Sequence, residues 1–146
     1  ISGDSGIGRG GGDVVFERNG PVVTEESADD FLGAGVGSNN TAELSAIAHA
    51  MRWLLTEGGS QMVVLRGDSE YALNISSGQW RAKANKELAD SVRTLWSEVA
   101  SLRSLTPEHV RAHRGHRWNE RADHLAFRAM QGEDPLPLQF WKPGAR

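Results

Sequence analysis

The run Met62-Val63-Val64-Leu65 constrains this chain more than any other feature. A short, continuous apolar run is the pattern of a central strand buried on both faces. It lies between two segments whose apolar residues recur every three or four positions. Leu44, Ile47, Ala48, Met51, Leu54 and Leu55 line one face of a helix before it, and Leu88, Val92, Leu95, Trp96, Val99 and Leu102 line a long helix after it. A buried strand between amphipathic helices predicts an α/β domain.

The remaining punctuation fills in that domain. Glycines dominate residues 1–12, then Val14-Val15-Phe16 reads as a strand and Asn19-Gly20-Pro21 as a turn. Val22-Val23 opens the returning strand, residues 24–30 are polar enough for an exposed turn, and Phe31 to Val36 reads as a third strand. The opening third is thus expected to be an antiparallel meander. Asn40 is placed to N-cap the first helix with Glu43 as its capping-box partner, and Gly58-Gly59 ends it. Asp68-Ser69 starts a helix that Ser77-Gly78 stops. Pro107 to Ala112 is expected as the last strand, and Trp118 to Met130 as the last helix, with Ala122, Leu125, Ala126 and Ala129 inward. Residues 1–132 form one domain with a mixed sheet, and 133–146, with Pro135, Pro137 and Pro143, an irregular tail.

Composition narrows the function classes. The 146 residues include no cysteine, which excludes a disulfide scaffold, a thiolate zinc site and cysteine catalysis. No apolar run approaches the ~20 residues of a membrane span. No signal peptide is visible, so a cytoplasmic or other intracellular setting is expected. The opening Ile1, without an initiator Met, implies a chain processed, trimmed or cut from something longer. Residues 1–79 carry 4 Lys and Arg against 11 Asp and Glu, a net −7, whereas residues 80–146 carry 12 against 8, a net +4. The second half therefore offers charge suited to phosphates, although scattered surface charge gives the same count.

Four carboxylates stand where chemistry wants them. Asp4 ends the expected first strand, Glu43 is in the first turn of the first helix, Asp68 follows the apolar strand, and Asp123 is in the first turn of the last helix. Such carboxylates can converge, and like charges that converge need a cation to neutralise them. Mg²⁺ takes a few carboxylates together with waters and substrate phosphate. Each residue also has a plainer reading: Glu43 as a capping partner, Asp68 as a helix cap, Asp123 as a helix-dipole partner, Asp4 as a turn residue. Asp13 is the alternative to Asp4, but it follows the glycine-rich stretch rather than preceding it.

The words around these carboxylates decide between the readings. Ser38-Asn39-Asn40-Thr41-Ala42-Glu43-Leu44, Gly67-Asp68-Ser69-Glu70-Tyr71 and His113-Arg114-Gly115-His116-Arg117-Trp118-Asn119-Glu120-Arg121-Ala122-Asp123 occur in that order. Together with the opening Asp and glycines, over about residues 1–130, the chain resembles the type 1 ribonuclease H family. The resemblance implies a ribonuclease H-like α/β fold, a five-stranded mixed sheet flanked by helices. It implies an endonuclease that cuts the RNA strand of RNA–DNA hybrids, leaving 5′-phosphate and 3′-hydroxyl ends. It implies two Mg²⁺ ions with substrate bound, Mn²⁺ being an alternative, held by Asp4, Glu43, Asp68 and Asp123. His113 would assist proton transfer or product departure, and His116 would be structural. Asn39 and Asn40 resemble the family's 2′-hydroxyl readers. Ser38 and Asn85 fall at the pocket for a DNA-strand phosphate, with Trp80 against a deoxyribose and Arg81, Lys83 and Lys86 supplying backbone charge. A monomer is expected unless the chain belongs to a larger polypeptide, such as a reverse transcriptase.

The chain departs from the family in four places. Only Ile1-Ser2-Gly3 precede Asp4, Ser5-Gly6 replaces the usual order after it, and Ser38 stands for the commoner Thr. Residues 72–84 leave no room for the basic protrusion of some bacterial members. A non-catalytic hybrid-binding or scaffold module, and another nuclease of the same fold, are the competing functions. The carboxylates speak against the first, and the Asn-Asn-x-x-Glu element against the second.

Overall fold

The computed structural model describes residues 2–6, 9–17, 22–28, 39–111, 114 and 116–145. In the amino-terminal strands only the side chains of Val15, Val22, Thr24 and Glu25 are described, and that of Asn39 is not. The strand expected at Phe31–Val36 lies outside the described residues.

Three strands, β1 (Ser2–Gly6), β2 (Arg9–Glu17) and β3 (Val22–Ala28), form an antiparallel meander. The glycine-rich stretch is not only a loop: Gly10, Gly11 and Gly12 are strand residues facing Ser5, Asp4 and Gly3 across the β1–β2 ladder. Asp4 is therefore at the middle of β1 and not at its end, opposite Gly11. Residues 24–28 are strand, not the expected exposed turn. Their polar composition hides a ladder in which Val15 pairs with Glu25 and Phe16 with Thr24. A polar strand suits the edge of a sheet, where one side has no strand partner.

Helix α1 (Asn39–Glu57) begins one residue before Asn40. Asn40 is thus a helical residue and not the N-cap, and Glu43 falls in the second turn, so the capping box expected of this pair does not form as drawn. The helix ends where Gly58 adopts φ +72 and donates its N–H to Leu54 O at 3.1 Å, a left-handed stop that glycine takes without strain. Residues 41–48 are all buried, so α1 is covered nearly all round and not along one stripe. Its packing explains this: α1 bears on β1, β2, β3, α2 and α3, and Ala42, Ala46, Ala48 and Ala50 let those neighbours approach.

Strands β4 (Val63–Gly67) and β5 (Leu105–His109) form a parallel pair running from Val63 opposite Leu105 to Gly67 opposite His109. β5 starts two residues before the expected strand and ends three before it. Between them lie α2 (Glu70–Ser76) and α3 (Lys86–Leu102). Leu88, Ala89, Val92, Trp96 and Val99 of α3 are buried, whereas Leu102, expected inward, is 69% exposed at the last turn. Helix α4 (Arg117–Gln131) bears on β1 and β2, with Ala122, Leu125 and Ala126 buried; Ala129 faces solvent. The hydrogen bonds among the described residues give a three-stranded and a two-stranded sheet, not one five-stranded sheet. No described helix is long and apolar enough to cross a membrane.

Candidate active site

Asp68 stands at the carboxyl end of the β4–β5 pair, the end at which open α/β sheets present ligand-binding loops. Val110 N–H donates to Gly67 O at 2.9 Å, and His109 Nε2 donates to Asp68 O at 3.2 Å. The helix that follows is capped by Ser69, whose Oγ accepts from Ala72 N–H at 3.0 Å. The cap role weighed for Asp68 is therefore filled by its neighbour, and Asp68 itself is half-buried.

Glu43 and Asp123 come from the two helices that share β1 and β2. Glu43 is 7% exposed and Asp123 9%. Asp123 is the seventh residue of α4, in its second turn and not the first, where Glu120 sits instead. Glu43 is engaged with its surroundings, while its Oε2 atom is buried without a hydrogen bond. Asp4 is on β1, against which both helices pack; its side chain lies outside the described residues. β1, α1 and α4, which carry Asp4, Glu43 and Asp123, are thus neighbours in the fold, whereas β4, which Asp68 follows, packs chiefly against β5. Among the described side chains, no group of three or more His, Asp or Glu is close enough together to hold a metal ion.

His113 and Ser38 also lie outside the described residues, and Asn39 is placed by its backbone alone at the first position of α1. Asn40 beside it is exposed. His116 directly precedes α4 and makes no side-chain cap; its carbonyl accepts from Glu120 N–H at 2.9 Å.

The stretch joining α2 to α3 carries the remaining candidates. Asn85 precedes α3 at φ 52, ψ 42, a left-handed conformation that asparagine tolerates better than most side chains. Its side chain makes no cap bond, and its carbonyl accepts from Ala89 N–H at 2.9 Å. Trp80 is 46% exposed, and Lys83 is exposed. Trp80 borders an open cavity of about 380 Å³ with Arg81, Lys86, Asp90 and Arg93. Sequence reasoning missed Arg93 and Asp90. Lys86, Asp90 and Arg93 are spaced by four and three residues on α3, which puts them on one face, and that spacing was available. Gly78 has φ +84, and a Cβ there would lie 3.2 Å from Arg93 Nε, so the bare backbone lets the guanidinium approach.

Sequence reasoning also missed the groups behind α4. His124 is fully buried, its Nδ1 donating to Ala145 O at 3.2 Å and its Nε2 accepting from Leu136 N–H at 3.0 Å. Burial holds its pKa below the ordinary value; the bond to Ala145 opposes that shift, and the charges of Arg121 and Arg128 add to it.

These features can be set beside known proteins. The RNase H family model matches residues 5–131. The ribonuclease H of Thermosynechococcus vestitus is 32% identical over 116 residues, covering 73% of this chain and 71% of its own. That of Nitrosomonas eutropha is 32% identical over 142 residues, covering 85% and 82%. Among solved structures, RNase H1 from the archaeon Halobacterium salinarum superposes with a TM-score of 0.69 at 26% identity, covering 90% of this chain and 94% of that one. LC11-RNase H1, solved in complex with an RNA/DNA hybrid, gives a TM-score of 0.69 at 25% identity over the same shares. The fold is therefore ribonuclease H-like, an α/β fold. The chain belongs to the RNase H family and is a ribonuclease H hydrolase.

Proposed function

We propose that this protein hydrolyses the RNA strand of RNA–DNA hybrids with divalent metal ions, leaving 5′-phosphate and 3′-hydroxyl ends. The observation that carries this reading is the superposition, over nine-tenths of the chain, on a relative solved with an RNA/DNA hybrid.

The donor set fits a hard divalent cation. Asp4, Glu43, Asp68 and Asp123 offer only carboxylate oxygens, the ligands Mg²⁺ and Mn²⁺ take. Two such ions, when bound, would supply Lewis-acid activation of water and stabilisation of the leaving oxygen. The protein's own groups do the rest. Asn39 and Asn40 donate and accept hydrogen bonds at the 2′-hydroxyls that mark RNA. Ser38, Lys83 and Asn85 hold phosphates of the DNA strand, with Trp80 packed on a sugar. The left-handed turn at half-buried Asn85, whose side chain makes no cap bond, leaves its amide for that contact. His113 assists proton transfer or product departure. In this reading β4 joins β1 to complete one mixed five-stranded sheet, residues 1–132 are the catalytic domain, and 133–146 are appended to it. The setting is intracellular, and the molecule is a monomer unless the chain is part of a larger polypeptide.

The test is cleavage of a labelled hybrid in Mg²⁺, beside single-stranded RNA, duplex RNA and duplex DNA. Hybrid-only cutting that stops with chelator supports the reading. A folded chain that binds hybrid without cutting it in Mg²⁺ or Mn²⁺ is a binding module instead.

A further inference from the structure

Residues 133–145 contain no helix or strand and lie beyond the residues that match the family. They nevertheless fold back along α4. From Gly132 the chain runs so that Leu136 O accepts from Arg121 Nη1 at 2.9 Å and Leu136 N–H donates to His124 Nε2 at 3.0 Å. Further on, Trp141 is 3% exposed, and its indole N–H donates to Ala145 O at 3.2 Å, the same carbonyl that His124 Nδ1 holds. The Trp141 ring lies 6.2 Å from the His124 ring, and the guanidinium groups of Arg121 and Arg117 sit 5.5 and 5.8 Å from its centre. Arg128 pairs with Glu133 at 3.3 Å.

The contacts on α4 come from Arg117, Arg121, His124 and Arg128, spaced by four, three and four residues. That spacing is one stripe of a helix. Arg121 in this stripe is also held by Glu25 of β3. Asp123 occupies the adjacent stripe, one residue from His124. A helix with its side chains is ~10 Å across, so a rotation of ~12° about its axis moves a side-chain tip by ~1 Å. Mg²⁺ demands near-ideal geometry at ~2.1 Å and tolerates no such drift.

We propose that the 133–145 segment is a positioning element for the active site: anchored by Trp141 and Leu136, it fixes the rotation of α4 and thereby the carboxylate of Asp123. This rests on the reading of Asp123 as a metal ligand. The segment meets α4 at Arg117, Arg121, His124 and Arg128, none of them placed among the reacting groups. It acts through the buried face of the helix that carries one.

The test uses the full chain and three variants. Leu136→Pro removes one N–H donor to His124, and Pro135 and Pro137 on either side already hold the backbone extended. Trp141→Ala removes the anchor, and Trp141→Phe keeps a ring in its place. Mn²⁺ binding is read without substrate, from the electron paramagnetic resonance of free Mn²⁺, and melting is read in chelator. Hybrid kcat and KM are measured at saturating Mn²⁺. Leu136→Pro and Trp141→Ala should weaken Mn²⁺ binding roughly ten-fold, the range for groups that orient a ligand from behind. KM for hybrid should be unchanged, and Trp141→Phe should bind Mn²⁺ like the parent. Variants that melt earlier but bind Mn²⁺ like the parent would mean a merely structural segment and overturn the proposal. If Trp141→Ala does not fold, Leu136→Pro alone decides. Asp123→Asn separates the two levels. Weak Mn²⁺ binding there but not in Leu136→Pro overturns this proposal alone, whereas undiminished binding in Asp123→Asn overturns the metal reading and this proposal with it.

Discussion

Arg121 and Glu25, 96 residues apart, form a two-pronged pair: Nε donates to Oε2 at 2.6 Å and Nη2 to Oε1 at 3.1 Å. The pair ties the last helix to the edge strand of the meander, and its two ends are unequally buried. The Arg121 side chain is 2% exposed and that of Glu25 26%. Removing Glu25 strands a buried guanidinium whose remaining contacts among the described residues are Leu136 O and the face of Trp141. Removing Arg121 leaves a carboxylate that water can reach. Glu25→Ala should therefore cost ~3 kcal/mol of stability, and Arg121→Met, which fills the space with an apolar chain, ~1–2 kcal/mol. Urea unfolding midpoints check this, and equal or reversed costs would refute the asymmetry.

Asp68 and Ser69 are neighbours whose roles separate cleanly. Ser69 caps α2 through Ala72 N–H, so Ser69→Ala should cost ~1 kcal/mol of stability and spare most hybrid cleavage. Asp68→Asn removes a charge from a residue that is not the N-cap of α2. It should lower cleavage ~100-fold or more, which is ~3 kcal/mol of lost barrier reduction, with no loss of melting temperature in chelator. An Asp68→Asn chain that melts markedly earlier than the parent, yet cleaves, would reverse the assignment.

How much of this was legible follows from what a local pattern can carry. The helices α1, α3 and α4 were readable because three- and four-residue periodicity survives in any context. Glu43, Asp68 and Asp123 were readable as motif words, and the helices of Glu43 and Asp123 both pack on β1 and β2; the helical turns of these two were misjudged because a cap is fixed by backbone geometry and not by residue type alone. The opening of β3 at Val22-Val23 was readable, but its continuation was hidden because Thr24, Glu25 and Glu26 look like a turn until Arg121 and the β2 ladder are known. The docking of Trp141 was invisible for the same reason: prolines announce irregular chain, and nothing local says that His124, 17 residues earlier, will hold it. Long-range partners of polar groups, unlike apolar stripes, leave no period behind them.

The buried His124 makes stability depend on pH with a definite sign. Burial lowers its folded pKa below the ordinary 6.5. Above 6.5 both states are neutral and nothing changes. As pH falls below 6.5 the unfolded chain takes up a proton that the folded chain resists. Stability is lost from there down to the folded value, at a slope of at most ~1.4 kcal/mol per pH unit. Protonation would also break the bond from Leu136 N–H to Nε2. Unfolding free energies measured in chelator from pH 7.5 to 5.5 should therefore fall more steeply for the parent than for His124→Gln. Parallel profiles would show that His124 is not the group responsible.

Arg93 and Gly78 give a prediction about substrate binding that sequence motifs do not contain. Arg93 borders the cavity with Trp80, Arg81, Lys86 and Asp90, where a nucleic-acid backbone would meet three cations against one carboxylate, and one aromatic face. Each phosphate contact contributes about 0.9 to the slope of log K against log salt on a B-form duplex, and somewhat less on a single strand. Arg93→Ala should then weaken hybrid binding at every sequence alike and reduce that slope by about one unit. Gly78→Ala tests the same contact from the other side. Its Cβ would meet Arg93 Nε at 3.2 Å, and its φ of +84 disfavours any side chain, so it should push the guanidinium out of place. Both variants should raise KM for hybrid with kcat unchanged, because neither residue is placed among the carboxylates. A fall in kcat with KM unmoved would remove Arg93 from the binding face and assign it to holding the α2–α3 turn.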